Sequence, residues 1–379
     1  MGSIMEHFAD LPDPRINRTR RHELIDILTI SLCAVVCGCD SFTDIALFGE
    51  AKLPWFKTFL SLPSGIPSHD TFNRVFAAID TNAFGRCFSA WISDLQVKTK
   101  GGVIAFDGKT LRRSFDHASG NGPLHMVSAW AHSNQTVLGQ IAVDGKSNEI
   151  TAIPKLLDML DIVGCTVTID AIGTQKAIAA KIQAKGADYV LALKSNHHNL
   201  NADVRAYFEQ CMAESWRDAQ DQPIAYTNTT SSDFGHGRTE TRTCWATACP
   251  EWADGKSEWA GLRSIARVEG TRCIDGKTST EARYYLSSLP PNARRIADAV
   301  RAHWSIENRL HWVLDMTFNE DQSRIRTENA AVNMATLRHI ALNLITKENS
   351  GKKKSIRAKR LLAGWENDYL MQIIVGTKT

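Results

Sequence analysis

Three acidic residues stand at apolar positions where a carboxylate is costly. Asp107 follows Val103-Ile-Ala-Phe106, Asp170 follows Thr166-Val-Thr-Ile169, and Glu307 lies within Trp304-Ser-Ile-Glu-Asn308. A carboxylate directly after a buried strand loses hydration that a metal, a proton or hydrogen-bond donors must replace. Two such aspartates and a helical glutamate are a donor set for divalent cations. A pair of cations held by hard oxygen ligands can activate one oxygen, stabilise another as it leaves, and align both at phosphorus. The chemistry expected of this chain is therefore the breaking and joining of phosphodiester bonds.

Each acid also has an ordinary reading. Asp107-Gly108 is a common turn dipeptide, and helical glutamates such as Glu307 are usually solvated. Glu320, Asp321 and Glu328 are rival third ligands. His303, Glu307 and His311 recur every fourth residue and so share one helix face. Lys109, Arg112 and Arg113 follow Asp107 closely enough to clamp phosphates, and Lys194, after a later strand, should share its sheet edge. Trp304 and Trp312 could stack an unpaired base, but their helical spacing fits core packing better.

The elements that must position these residues can be read from periodicity. Residues 1–98 have helical patterning: Leu24, Ile27, Leu28, Leu32 and Val35 mark a helix ending near Gly38, and Ser68 offers a cap ahead of Phe72, Val75 and Phe76. At Gly101-Gly102 the pattern changes to strand-length runs. Strands are expected at 103–106, 126–131, 137–143, 166–169 and 189–193, with a helix capped by Asn148 before the fourth and a helix at 175–184 before the fifth. The order β-β-β-α-β-α-β is the ribonuclease-H-like arrangement, in which the first and fourth strands pair and set Asp107 beside Asp170. Residues 223–290 read as a β-rich insertion into that core, with strands near 262–268 and 282–286. Residues 291–350 resume the core with a helix over 296–312 that carries Glu307 and another over 330–345, and 351–379 is a basic tail. The fold class is α/β (α+β), with a helical amino-terminal domain ahead of the first core segment at 99–222.

Composition bounds the class. With 43% hydrophobic and 22% charged residues among 379, the chain is neither disordered nor fibrous and is long enough for more than one domain. The longest apolar run, Ile27 to Cys39, is broken by Thr29 and Ser31 and falls short of the ~18 residues of a membrane span. No charged leader precedes it, so a reducing cytoplasmic setting without membrane contact is expected. Nine cysteines, three of them in one helical run, do not describe a disulfide framework. Cys244, Cys249 and His236 lack a fourth partner at zinc-site spacing. A net charge of +3 says little, but from Pro291 onward basic residues outnumber acidic ones 15 to 9. Lys352, Lys353, Lys354 and Arg357, with Lys359 and Arg360, form a run that could neutralise phosphates or equally be a solvated tail.

Several longer motifs sharpen this picture. Ile104-Ala-Phe-Asp-Gly-Lys-Thr110, Lys146-Ser-Asn-Glu-Ile-Thr-Ala-Ile-Pro154, Thr168-Ile-Asp-Ala171, Gly235-His-Gly-Arg238 with Glu240 and Arg242, and His303-Trp-Ser-Ile-Glu-Asn308 through Trp312 closely resemble the H-repeat-associated group of bacterial insertion-sequence transposases. The resemblance covers nearly the whole chain. It implies a DDE transposase whose metal-binding acids are Asp107, Asp170 and Glu307, holding two Mg²⁺ ions with Mn²⁺ as a substitute. It further implies cleavage at the element's ends and transfer of the 3′-hydroxyl into target DNA by a homodimer, in the cytoplasm and on the nucleoid when bound. Terminal repeats would be bound by the amino-terminal helices and basic tail, and His236, Arg238 and Arg242 would shape the DNA channel. Relatives often place a tyrosine seven residues before the glutamate, an arginine four before and a lysine seven after. Here those positions are Val300, His303 and Leu314, leaving His303, Arg301 and Arg309 to contact phosphate. A DNA-binding relic without activity and a stand-alone ribonuclease-H-like nuclease are the competing classes.

Overall fold

The computed structural model describes residues 4–94, 101–115, 122–143, 148–235, 237–253, 255–351 and 353–376. Six helices come first: α1 (Ile4–Phe8), α2 (Leu24–Val36), α3 (Phe42–Ala51), α4 (Leu53–Phe56), α5 (His69–Ala78) and α6 (Thr81–Asp94). Every residue of α2 except Ile25 is buried, so this helix is central to its module rather than amphipathic. Its Thr29 and Ser31 hydroxyls donate to the carbonyls of Ile25 and Ile27, each at 2.7 Å, which removes the penalty of burying them. Ser41 closes a capping box with Asp44, and Ser68 Oγ accepts from the Thr71 amide.

The strands are β1 (Val103–Thr110), β2 (His125–Ala131), β3 (Thr136–Val143), β4 (Thr166–Ile169), β5 (Asp188–Leu193), β6 (Tyr226–Gly235), β7 (Arg238–Ala248), β8 (Ser264–Ile274) and β9 (Lys277–Ser287). They form one sheet in the order β3-β2-β1-β4-β5-β9-β8-β7-β6. Pairing is parallel only for β1 with β4 and β4 with β5. The crossovers are α7 (Glu149–Asp158) and α8 (Lys176–Ala184). This is the expected ribonuclease-H-like order, and the β-rich insertion adds two long hairpins to the same sheet through β9 against β5.

Two local expectations are corrected. Asp107 and Gly108 lie inside β1, paired with Ser128 and Val127, so no Asp-Gly turn exists there. Asn148 occupies the cap position of α7 without a side-chain cap bond. A helix at α9 (His198–Ala213) escaped periodicity because only Leu200, Val204, Phe208 and Cys211 are buried along its 16 residues.

After β9 come α10 (Ala293–Ile306), a π-helical turn at Glu307–His311, α11 (Trp312–Met316), a 3₁₀ turn at Glu320–Gln322, and α12 (Ala330–Lys347). Helix α12 joins the two halves. Asn333 Nδ2 donates to the carbonyls of Phe76 and Ile79 at 2.8 and 2.9 Å. On its other side, Asn343 accepts from the Val137 amide and donates to the Val137 carbonyl, each at 2.9 Å. That amide closes the β3 edge as a neighbouring strand would.

The basic tail is structured as α13 (Ile356–Trp365) and α14 (Asn367–Val375). Lys359 and Arg360 are buried within it. Lys359 Nζ sits on the Ile345 carbonyl at 2.9 Å and the Glu348 carboxylate at 3.3 Å. Arg360 bonds the Val35 carbonyl at 2.9 Å and the Thr317 carbonyl, so these two cations tie helices together rather than face phosphate. No helix among the described residues is long and apolar enough to cross a membrane, and none of the nine cysteines forms a disulfide.

Candidate active site

The register of β1 against β4 builds the site. Phe106 pairs with Ile169, so the next residues, Asp107 and Asp170, stand side by side on neighbouring strands where β4 ends. Asp170 Oδ1 then accepts from the amides of Ile172 and Gly173 at 3.1 and 3.3 Å. Thr174 Oγ1 pins the loop by donating to the carbonyls of Asp170 and Ala192 at 3.0 and 2.7 Å.

Helix α10 brings the third acid. Its His303 Nδ1 lies 3.0 Å from Thr168 Oγ1 on β4. Ser305 Oγ accepts from Trp130 Nε1 at 3.1 Å and meets His132 Nδ1 at 2.8 Å. Held at both points, the helix delivers Glu307 at the first residue of its π turn, the kind of insertion that re-aims a side chain at functional sites.

Asp107, Asp170 and Glu307 all line one cleft of about 550 Å³, whose walls also carry Lys194, His303, Arg205, Glu281 and Arg283. Burial, then the charges of Asp170 and Glu149 and a smaller one from Glu307, push the Asp107 carboxyl up to about 7, against the Gly108 amide. Burial and Glu149 also raise Asp170, opposed by the Gly173 and Ile172 amides and by Lys194. Acids whose ionisation is opposed by burial and by neighbouring carboxylates are favoured as anions by a bound cation. Hard oxygen donors without thiolates suit a divalent ion of the magnesium kind. Among the described residues, no three His, Cys, Asp or Glu side chains are already gathered into a closed metal-holding group. The acids line the cleft without forming a cage.

The expected basic contacts divide. Lys194 and His303 line the cleft, but burial holds His303 down at about 4, so it offers a neutral ring instead of a charge. Lys109 is not available to phosphate: its Nζ bonds Asp315 and lies 2.6 Å from Glu320 Oε2, with its side chain only 10% exposed. Arg112 and Arg113 are exposed, and Arg112 Nε is 3.4 Å from Asp321. Arg242 pairs with Glu240 at 2.7 Å and Asp233 at 3.2 Å, and Arg238 lies 3.8 Å from Glu240. Arg301 also reaches Asp233, at 2.7 Å, which links the insertion hairpin to α10. His236 and Lys352 lie outside the described residues. Trp304 and Trp312 are 40% and 58% exposed, not core as their spacing implied, and Trp304 carries Arg283 over its ring at 4.6 Å.

Arg205 and Arg283 line the cleft without a local signal in the sequence: Arg205 lies on α9, which buries few residues, and the direction Arg283 faces along β9 is set by packing.

The buried histidines give the site region a pH signature. Burial lowers His339 to about 4, with Lys109 and Arg338 pulling the same way against Glu320, and His303 lies at the same value. Unfolded histidine titrates near 6.5, so the unfolded chain binds more protons between about pH 6.5 and 4. The stability tied to these neutral rings is complete above that window and is lost as pH falls through it. Asp107, raised, has the opposite sign as a single group. His339→Asn should therefore flatten the decline of unfolding free energy between pH 6.5 and 4.5 by about one proton, or ~1.4 kcal/mol per pH unit. An unaltered slope in urea titrations at several pH values would show that His339 is not held neutral.

The DDE_Tnp_1-associated family model matches residues 5–92 and the Transposase DDE domain model matches residues 98–344. The chain belongs to the DDE-domain transposases, DNA transposases that cleave and join phosphodiesters with divalent metal ions. It is 39% identical over 382 residues to the "H repeat-associated putative transposase YhhI" of Escherichia coli K12, covering all of this chain and 99% of that one. It is 39% identical over 376 residues to the "Putative transposase YncI" of E. coli O157:H7, covering 98% and 94%. A cryo-EM structure of a piggyBac transposase synaptic complex with hairpin DNA aligns at a TM-score of 0.44 and 10% identity over 97% of this chain and 75% of that one.

Proposed function

We propose that Asp107, Asp170 and Glu307 are the catalytic acids of this transposase, holding two Mg²⁺ ions for which Mn²⁺ can substitute. The observation that carries this reading is the adjacency of Asp107 and Asp170 on paired parallel strands, with Glu307 lining the same cleft. Such ions, when bound, activate the attacking oxygen and stabilise the leaving one. The chain's own residues do the rest. Asp170 is oriented by two loop amides, α10 is anchored by His303 and Ser305, and Lys194 and Arg283 line the cleft as cations toward a phosphate backbone. In cleavage, a water oxygen bonds to phosphorus and the displaced oxygen leaves as a 3′-hydroxyl at the element's end. In joining, that hydroxyl attacks a target phosphate and a target 3′-hydroxyl leaves.

The substrate on this reading is DNA carrying the element's terminal repeats, followed by target DNA. The amino-terminal helices (1–98) would bind ends, the core segments (99–222 and 291–350) would carry catalysis, and the insertion (223–290) with Arg238 and Arg242 would flank the DNA path. Residues 351–379 would add basic contacts through Lys353, Lys354 and Arg357. Two ends must be held together, which favours a homodimer on DNA, cytoplasmic and nucleoid-associated when bound.

Incubation with flanked element ends, a target plasmid and Mg²⁺ tests this directly. Joined products are expected. Cutting without joining would make the chain a nuclease, and a gel shift without either would make it a relic.

The tail separates into two kinds of cation. Arg360→Ala should lower unfolding stability by about 3 kcal/mol, because Asp40 and two carbonyls lose a buried partner. Exposed Lys353 and Arg357 should cost about 0.5 kcal/mol or less when replaced by Ala, yet each should lower the salt slope of DNA binding by about one. Denaturant melts alongside gel shifts at graded salt measure both, and an unchanged slope would remove these two from the DNA interface.

A further inference from the structure

We propose that His311 is a positioning residue for Asp107, its ring Nδ1–H directed at Asp107 Oδ2 and fixing the orientation of that carboxylate; this rests on the metal reading given above. His311 ends the series His303, Glu307, His311 and is the last residue of the π turn that Glu307 opens. Its Nδ1 lies 3.6 Å from Asp107 Oδ2. The contact is looser than an ordinary hydrogen bond, as contacts between active-site groups commonly are before substrate binds. One short turn thus carries an acid of the site at one end and, at the other, a side chain set against a second acid.

The ring's surroundings decide where its proton sits. Burial, with Lys109 pulling the same way, holds His311 down at about 3, so the imidazole is neutral and carries one N–H. Its Nε2 is enclosed and meets no hydrogen-bond partner among the described residues. A proton on Nε2 would be a buried donor without an acceptor, and it would turn the Nδ1 lone pair toward a carboxylate oxygen. A proton on Nδ1 removes both penalties.

The neutrality of this donor suits the chemistry. A lysine or arginine against Asp107 would neutralise the aspartate and compete with a divalent ion for it. A neutral N–H orients the carboxylate and leaves its charge in place, as outer-shell partners of metal ligands do. Lys109, the permanent cation two residues along β1, is bound instead to Asp315 and Glu320. The contact also ties the far end of the π turn to β1, just as His303 and Ser305 tie α10 to the sheet before it.

One spectrum and two variants of the full-length protein test this. In the metal-free protein at mildly alkaline pH, ¹⁵N nuclear magnetic resonance of the histidine rings, with the His311 signals assigned by their loss in His311→Asn, should show the proton on Nδ1. A proton on Nε2 would overturn the proposal. His311→Leu fills the space without a donor and should raise the Mn²⁺ concentrations for half-maximal binding and half-maximal cleavage about 10- to 100-fold, with DNA binding retained. His311→Asn places its Nδ2 donor close to where Nδ1 stood and should recover most of that loss. Equal behaviour of the two variants, both like wild type or both impaired, would make His311 a packing residue only. Should His311→Leu fail to fold, the position of the ring proton decides. Mn²⁺ affinity lost in Asp107→Asn but intact in His311→Leu would overturn the role of His311 and leave the three-acid site standing, whereas unaltered affinity in Asp107→Asn would remove the metal reading itself.

Discussion

Asp107→Asn is expected to abolish end cleavage and strand joining together, by on the order of 10³-fold or more, equivalent to about 4 kcal/mol of barrier. Asparagine preserves the size of the side chain and its place in β1, but it removes the negative charge that would make Asp107 a cation ligand. Both steps should fall in parallel because one set of acids serves both. DNA binding should persist, since contacts to the phosphate backbone do not use this carboxyl. Stability without divalent ions should hold or rise: in the free protein Asp107 is pushed up to about 7 by burial and by its acidic neighbours, and an amide relieves that repulsion. Gel shift, cleavage, joining and a thermal melt read out the four components separately. Cleavage at the wild-type rate by Asp107→Asn would take Asp107 out of the site.

The second large effect is on folding. Lys109 is two residues beyond Asp107 on the same strand, and it is the positive centre of a buried cluster. Its Nζ meets Asp315, Glu320 at 2.6 Å and Asp321 at 4.0 Å, and Glu320 and Arg338, both 2% exposed, lie 3.6 Å apart. Lys109→Ala leaves these carboxylates underneutralised in a poorly hydrated place, which should cost about 3–5 kcal/mol. That is a large part of the ~5–15 kcal/mol by which a typical protein is stable. A residue whose task was to contact DNA would behave differently, with nearly unchanged stability and a shallower salt dependence of binding. Urea unfolding of Lys109→Ala beside its salt titration distinguishes the two, and a loss below about 1 kcal/mol would show that Lys109 is not structural. Because Asp315 belongs to α11, directly after the π turn that presents Glu307, loosening this cluster should also lower the cleavage rate.

The same two residues show how much of the site was legible beforehand. Asp107 could be picked out because a charge following four apolar residues is anomalous whatever the fold. Lys109 could be noticed, but its nearness to Asp107 in sequence suggested phosphate, since nothing local shows that Asp315 and Glu320, over 200 positions away, close around it. The basic tail misled in a related way. Lys359 and Arg360 belong to a run of like charge, and only the packing of α13 against α2 and α12 separates those two from exposed Lys353 and Arg357.

What the sequence determined by itself is what depends on near neighbours: the helical start, the strand order β-β-β-α-β-α-β, the presence of a β-rich insertion, and two aspartates set in apolar surroundings, whereas Glu307 is exposed. Periodicity and desolvation cost are local properties, so they survive without coordinates. Only the tertiary structure decided the relations between distant segments. It joined the insertion to the core sheet through β9, kept Gly108 within β1 instead of a turn, set His311 against Asp107, and turned Trp304 and Trp312 outward. Those outcomes follow from which faces meet and which charges find partners, and such pairings are fixed by packing across the whole chain.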